Sequence, residues 1–303
     1  MWTQPMSWLY ELWPLRPFGT RFRLHPLFTL MLFLSAVTGH FMEMITLFAI
    51  VLIHEIGHAV CAKQLGWRVR EVQLTPFGGV AVTDEDGSIP AKEEALVAVS
   101  GPAMNVLMIG FAYLMLASGI WTHAWTMYFA QANTTLLLFN LLPVLPLDGG
   151  KLLRVGIGYA LPFYKTLKAT TYWSMLASGL MIGAAFGTFG QGGLELNLLL
   201  IGSFLLYANW YEWKTVPYRF FRFLLGRGRR VAGWVKAGVE PEPLVVARSA
   251  KLTEVVRRLK RERMHIIVVL DGPGQVAGIL PEERCTKHYL EKEQNRAVSD
   301  LFM

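Results

Sequence analysis

Apolar residues along this 303-residue chain gather into six long blocks, at 27–41, 45–65, 95–120, 125–142, 167–189 and 194–213. A helix needs ~20 mostly apolar residues to cross a hydrocarbon core, and every block but the shorter first comes near that length. Only Met42, Glu43 and Met44 separate the first block from the second, so a tight hairpin is expected there. Between the second and third blocks, Val72, Leu74, Val80 and Val82 alternate with polar or small residues around Pro76-Phe77-Gly78-Gly79. That pattern predicts a β-hairpin. After Val239 the blocks give way to shorter signals. They are an apolar strand at 244–247, a helical pattern at 252–263, an apolar run at 266–270 and another at 276–280 after Asp271-Gly272-Pro273-Gly274. The order is β-α-β-β. The fold expected is an α-helical polytopic membrane protein of six transmembrane helices with a small α/β C-terminal domain. Its divisions would be a membrane domain at 1–225, a basic linker at 226–238 and a cytosolic domain at 239–303.

Composition agrees. Hydrophobic residues make up 53% of the chain and charged ones 17%, which excludes a disordered chain and fits a membrane protein with a modest soluble part. The formal charge of +7 is informative through its location. Arg16, Arg21 and Arg23 precede the first block. Lys63, Arg68, Arg70 and Lys92 lie in the second connection, and Lys151, Arg154, Lys165 and Lys168 in the fourth. Lys214, Arg219, Arg222, Arg227, Arg229 and Arg230 follow the sixth, whereas the first, third and fifth connections hold no Lys or Arg. The positive-inside rule then puts both termini in the cytoplasm. Such juxtamembrane charge favours a lipid bilayer and its anionic headgroups, so no nucleic-acid partner is expected. Cys61 and Cys285 lie in unlike settings, so no disulfide is expected. The stretch after Arg23 runs straight into a second apolar block without a small-residue cleavage site, so no secretory signal peptide is read.

Chemistry enters at His54-Glu55-Ile56-Gly57-His58, an H-E-x-x-H pentapeptide inside the second block. Residues four apart share a helix face, so both imidazoles can bind one Zn²⁺. Glu55 is about 100° round from His54, near enough to take a proton from water at that site. Ionisable groups in such a segment are costly, and mark function. The orientation of the blocks brings the end of the fourth, Asn140 through Pro143, Pro146 and Asp148-Gly149-Gly150, to the same depth. Asp148 would complete a His₂-carboxylate set; its other reading is an N-cap of the next helix. Pro143 and Pro146 break the helix, and Gly149 and Gly150 permit close turns. Asn140 could donate to an oxyanion or hold a neighbouring backbone group.

H-E-x-x-H in a transmembrane helix followed by N-x-x-P-x-x-P-x-D-G-G resembles the site-2 protease family of intramembrane zinc metalloproteases. Pro76-Phe77-Gly78-Gly79 and Ser100-Gly101-Pro102 support the likeness, which covers most of the chain. The resemblance implies a zinc metalloendopeptidase with His54, His58 and Asp148 as metal ligands, Glu55 as general base and Asn140 facing the reacting carbonyl. It is strongest to the branch that processes pro-sigma-K in endospore-forming bacteria. That branch implies a membrane-associated pro-protein substrate, inhibitors resembling bypass-of-forespore A and stage IV sporulation protein FA, and the mother-cell membrane around the forespore. The tail is similar to a single cystathionine-β-synthase (CBS) module. Such modules pair, often around an adenine nucleotide. One copy of about sixty residues buries little core, so a homo-oligomer through the tail is expected. No phosphate-binding glycine loop is present, so no nucleotide-binding residues are named.

Other function classes fit less well. A transporter needs ligands strung along a path, whereas His25, His40 and His123 are scattered. A silent scaffold has no need of Glu55. A protease class with a glutamate as third ligand would use Glu195, but that residue lies in the fifth connection, on the outer side. All candidate ligands precede residue 149, so loss of the tail is expected to spare the metal site and to weaken docking of a soluble-domain substrate. The hairpin at 71–82 either adds a strand to an extended substrate or covers the site.

Overall fold

A computed structural model describes residues 21–24, 34–67, 69–75, 78–83, 89–187, 195–271, 274–291 and 296–301. The part of the first apolar block before residue 34, the fifth connection and the tips Pro76-Phe77 and Gly272-Pro273 lie outside them. The elements in order are β1 (Arg21–Leu24), α1 (Phe41–Gln64), β2 (Val69–Thr75), β3 (Gly78–Thr83), α2 (Ala91–Ala117), α3 (His123–Asn140), α4 (Asp148–Ala160), α5 (Phe163–Gly187) and α6 (Leu196–Lys236). The tail adds β4 (Glu242–Ala247), α7 (Leu252–Arg257), β5 (His265–Leu270), β6 (Val276–Pro281), α8 (Glu282–Leu290) and a 3₁₀ turn at Val298–Leu301. The chain is mostly helical. Among the described helices, α1 and α2 are long and apolar enough to cross a membrane. The other expected spans carry polar positions such as Asn133 in α3, Thr170, Thr171 and Ser174 in α5, and Asn209 in α6, all buried inside the protein.

The chain divides into two compact units, one of 1–85 and 95–142, the other of 86–94 and 143–303. In the first, β2 and β3 pair antiparallel from Val69↔Thr83 to Thr75↔Gly78, as the alternating pattern predicts. β1 adds a parallel strand on the other side of β2, with Arg21 opposite Glu71, which the sequence did not announce. The hairpin break expected at Met42–Met44 falls earlier. Gly39, at φ 81°, supplies the left-handed turn, and Met42 to Met44 lie in the first turn of α1. A positive φ is costly for any residue but glycine, so the chain turns there.

In the second unit α6 is one helix of 41 residues, about 60 Å at 1.5 Å per residue. The stretch 226–236, expected as a linker, is its last part. The reason is a buried stripe of Val216, Phe220, Phe223, Leu224, Arg227 and Val231, at the three- and four-residue spacing of one helix face. Val216, Phe220, Phe223 and Leu224 of that stripe and Leu167 of α5 join Val246, Leu252, Val255, Val256, Ile267, Val269 and Leu280 of the tail in a single apolar core. The tail forms the β-α-β-β order expected, with β4 parallel to β5 and β5 antiparallel to β6. Its apolar face is thus covered by the chain's own helices, which removes the physical need for a second copy. Burial pushes the Cys285 thiol up to about 11, with the Glu282 charge adding to the effect. Both cysteines are free.

Buried charge locks α6 to the tail. Arg227 Nε donates to Glu282 Oε1 at 2.8 Å, and Nη1 and Nη2 donate to the carbonyls of Lys260 and Arg263 at 2.8 and 2.6 Å. Arg227 and Glu282 are each 2% exposed. This arginine, expected to face headgroups, is instead an interior strut.

Candidate metal centre

His54, Glu55 and His58 sit mid-helix in α1, all buried. The one-turn spacing sets the two imidazoles edge to face, and their Nε2 atoms are 3.1 Å apart. What those nitrogens carry follows from the other side of each ring. Asn133 Nδ2 donates to Phe129 O at 2.9 Å, which turns its Oδ1 toward Asn105 Nδ2 at 3.1 Å. Asn105 must then present Oδ1 to His54 Nδ1, at 2.6 Å. An amide oxygen only accepts, so His54 Nδ1 bears the hydrogen. His58 Nδ1 faces the carbonyl of Val97 at 2.6 Å and therefore also donates.

Both Nε2 atoms are consequently lone-pair donors aimed at one point. Two lone pairs at that separation repel unless a cation stands between them. Two nitrogens on one tetrahedral zinc, at ~2.0–2.1 Å each, lie roughly 3.3 Å apart. The donor set fits zinc, and the carboxyl–amide or carbonyl support behind each ring is the usual way a ligating imidazole is oriented.

Glycine makes the close helix approach possible. A Cβ on Gly101 of α2 would run into His58 Nε2 and come within 2.7 Å of His54 Nε2. A Cβ on Gly57 of α1 would meet Met104 Cγ at 2.5 Å and Ser100 O at 2.9 Å. Ser100 Oγ donates to Val97 O at 2.7 Å, sharing the acceptor that holds His58.

Asp148 belongs to the second unit. It is the first residue of α4 and 3% exposed. The N-cap position is Leu147, without a side-chain cap. Lys151 Nζ lies 2.8 Å from Asp148 Oδ1, and a carboxylate at a helix N-terminus is favoured by the helix dipole. The preceding backbone is irregular, and non-helical backbone at membrane depth must be satisfied by protein. Leu145 N donates to Ser174 Oγ at 2.9 Å, Trp173 Nε1 donates to Pro143 O at 2.9 Å, and Asn209 Nδ2 donates to Leu145 O. Gly150 is required here: a Cβ would strike the Val144 and Leu145 backbone, 2.5 Å from Leu145 N.

Asn140 ends α3, half-buried, with Nδ2 donating to Leu136 O at 3.1 Å. Glu195 is exposed at the start of α6. The residues that sequence reasoning left without a role are Asn105, Asn133, Gly101, Ser174 and Asn209. Their signal is a polar or small side chain in an apolar helix.

Converging imidazoles with a carboxylate between them in the same turn define a metal-dependent hydrolase of the H-E-x-x-H kind. Residues 42–121 match Peptidase family M50. The chain is 31% identical over 284 residues to stage IV sporulation protein FB of Bacillus subtilis, covering 93% of this chain and 96% of that protein. It is 29% identical over 177 residues to a zinc metalloprotease of Methanocaldococcus jannaschii, covering 57% of this chain and 49% of that one. The solved site-2 protease of the same archaeon matches with a TM-score of 0.50 at 24% identity, over 65% of this chain and 93% of that one, a likeness of fold. The chain belongs to the site-2 protease family, Peptidase family M50. It is a membrane zinc metalloprotease.

Proposed function

We propose that His54, His58 and Asp148 hold one Zn²⁺ and that the protein hydrolyses a peptide bond of a membrane-associated pro-protein near the cytoplasmic face. The observation that carries this reading is the pair of Nε2 lone pairs 3.1 Å apart, each fixed by a donated Nδ1–H. When bound, zinc supplies a Lewis acid that lowers the pKa of water to ~7. Glu55, next to His54, accepts the proton of the attacking water and later returns it to the leaving amine. Asn140 has a second amide hydrogen to offer the oxyanion, beyond the one given to Leu136 O. Lys151 steadies Asp148. The substrate must present an unwound segment, since a helix hides its peptide bonds; β3, an edge strand of the described sheet, suits strand addition.

The six-span topology with both termini cytoplasmic rests on the apolar blocks and the basic connections. Likeness to a stage IV sporulation protein over nearly the whole chain supports pro-sigma-K as substrate, inhibitors resembling bypass-of-forespore A and stage IV sporulation protein FA, and the mother-cell membrane as the location. An adenine nucleotide at the tail, and pairing of tails, rest on its CBS-like order alone. The membrane domain, tail and basic stretch at 226–238 are read as one working unit, since α6 runs through them.

The test is Glu55→Gln. The purified variant should hold zinc in wild-type stoichiometry and leave a co-expressed membrane-tethered pro-protein uncut. Cleavage at the wild-type rate would end the proteolytic mechanism.

A further inference from the structure

The tail reaches the start of α2 through charge. Arg261, between α7 and β5, donates from Nε and Nη2 to Ile89 O at 3.2 and 2.7 Å, and from Nη1 to Glu94 Oε2. Its neighbour Glu262 accepts from Ala91 N at 3.0 Å, capping one of the N–H groups that a helix leaves unsatisfied in its first turn. The other oxygen of Glu262 accepts from Arg230 of α6 at 2.8 Å. Glu94 Oε1 accepts from Arg154 of α4 at 2.5 Å. Arg154 also lies 3.5 Å from Glu212 of α6. The side chains of Glu94, Arg154 and Arg261 are only 11 to 14% exposed. One carboxylate therefore ties three elements together: the first turn of α2, the helix that begins with Asp148, and the tail loop.

The two helices so tied are those that supply the metal centre. After Glu94, α2 carries Val97, Ser100, Gly101 and Asn105, which set both imidazoles. Arg154 lies on the same short helix as Asp148. A helix is stiff along its axis, so a shift of its first turn is passed to the positions that follow. Ligand geometry tolerates little: about 0.5 Å separates a productive site from a loose one. A guanidinium reaching both Ile89 O and Glu94 is also hard to replace, because a lysine offers a point charge without the fork.

We propose that Arg261, acting through Glu94, is a positioning residue of the metal centre, so that the folded tail sets the zinc site. This rests on the reading of His54, His58 and Asp148 as ligands. It departs from the view that the tail only docks substrate.

The experiment uses full-length protein in detergent, loaded with zinc. It measures zinc release to a chelator, and kcat and KM on a membrane-tethered pro-protein. Arg261→Met should release zinc about tenfold faster and lose about tenfold in kcat, with KM within twofold, the size usual for partners behind a metal ligand. Glu94→Gln, which also weakens the Arg154 contact, should lose at least as much, and the double variant should lose less than the two single losses combined, because both break the Arg261–Glu94 contact. Arg261→Lys, which keeps the charge, should fall between and melt at the wild-type temperature, separating positioning from loss of fold. Arg248→Met, at an exposed pair with Asp271 elsewhere on the tail, should change neither readout. Wild-type zinc release and kcat in Arg261→Met overturn the proposal. So does a loss confined to KM, which would mean docking, or an equal loss in Arg248→Met, which would mean general weakening of the tail. A wild-type protein that holds no zinc overturns the ligand assignment itself, and the proposal with it.

Discussion

The side chain of Asn105 accepts the Nδ1–H of His54 at 2.6 Å, and it can do so because Asn133 takes up the other end of the same amide. The tautomer of the His54 ring is thereby decided two side chains away. Asn105→Ala is expected to cost 10–100-fold in zinc affinity, read from zinc content after dialysis against graded chelator. Asn133→Ala should cost less, since Asn105 keeps its oxygen but loses the partner that orients it.

Gly101→Ala should be more damaging than its one added carbon suggests. The methyl would occupy the space of His58 Nε2, so the rings must turn or the helices part. The expected outcome is loss of bound zinc and of cleavage while the protein still inserts and accumulates. Wild-type zinc content in this variant would show that α1 and α2 can separate there.

With His54, His58 and Asp148 as the proposed ligands, Asp148→Asn replaces a charged ligand by a weak neutral one. Zinc retention and cleavage should fall together, whereas Glu55→Gln loses only cleavage. Unchanged zinc content with lost activity would move Asp148 away from the metal. The Lys151 contact at 2.8 Å predicts a milder defect for Lys151→Met.

The Glu282 carboxyl gives the tail a pH dependence. Burial raises its pKa, but hydrogen bonds from His265 and Arg227 and the Arg227 charge outweigh that and hold it below the ordinary value of 4.5. A carboxyl depressed in the folded state binds fewer protons there than in the unfolded chain. Its contribution is complete above that ordinary value and is lost as pH falls through the lowered folded one. Protection of the β5 amides, measured against the unfolded-chain exchange rate at each pH, should fall on acidification below that range, and Glu282→Gln should flatten the response. Arg227→Met strands a buried carboxylate and should cost about 3–5 kcal/mol of tail stability.

How much of this was legible beforehand depends on range. His54, Glu55 and His58 could be read because one helical turn brings them together, and the hairpin because its period is two. The Asn105–His54 bond joins residues 51 apart and arises only when α1 and α2 pack through Gly57 and Gly101. The helical end of α6 was not legible for another reason. Gly226, Arg227, Gly228, Arg229 and Arg230 look like a linker, and the stripe of Val216, Phe220, Phe223 and Leu224 shows its meaning only when the tail's core is set against it. Loop 143–147 gave its prolines to the sequence reader but not the side chains, Ser174 and Asn209, that make its backbone affordable.

The last third of α6 holds three glycines, at 226, 228 and 233, each worth roughly 1 kcal/mol against helix relative to alanine. Such a segment has no reason to be helical in isolation. It is helical because the tail is folded on it, and the tail keeps its core because that helix is there. The two are therefore expected to open and close together in hydrogen exchange, as one cooperative unit. A cut within β4 to β6 would therefore melt the end of α6 as well. The protein can lose its tail only by losing, in the same event, the helix that carries it.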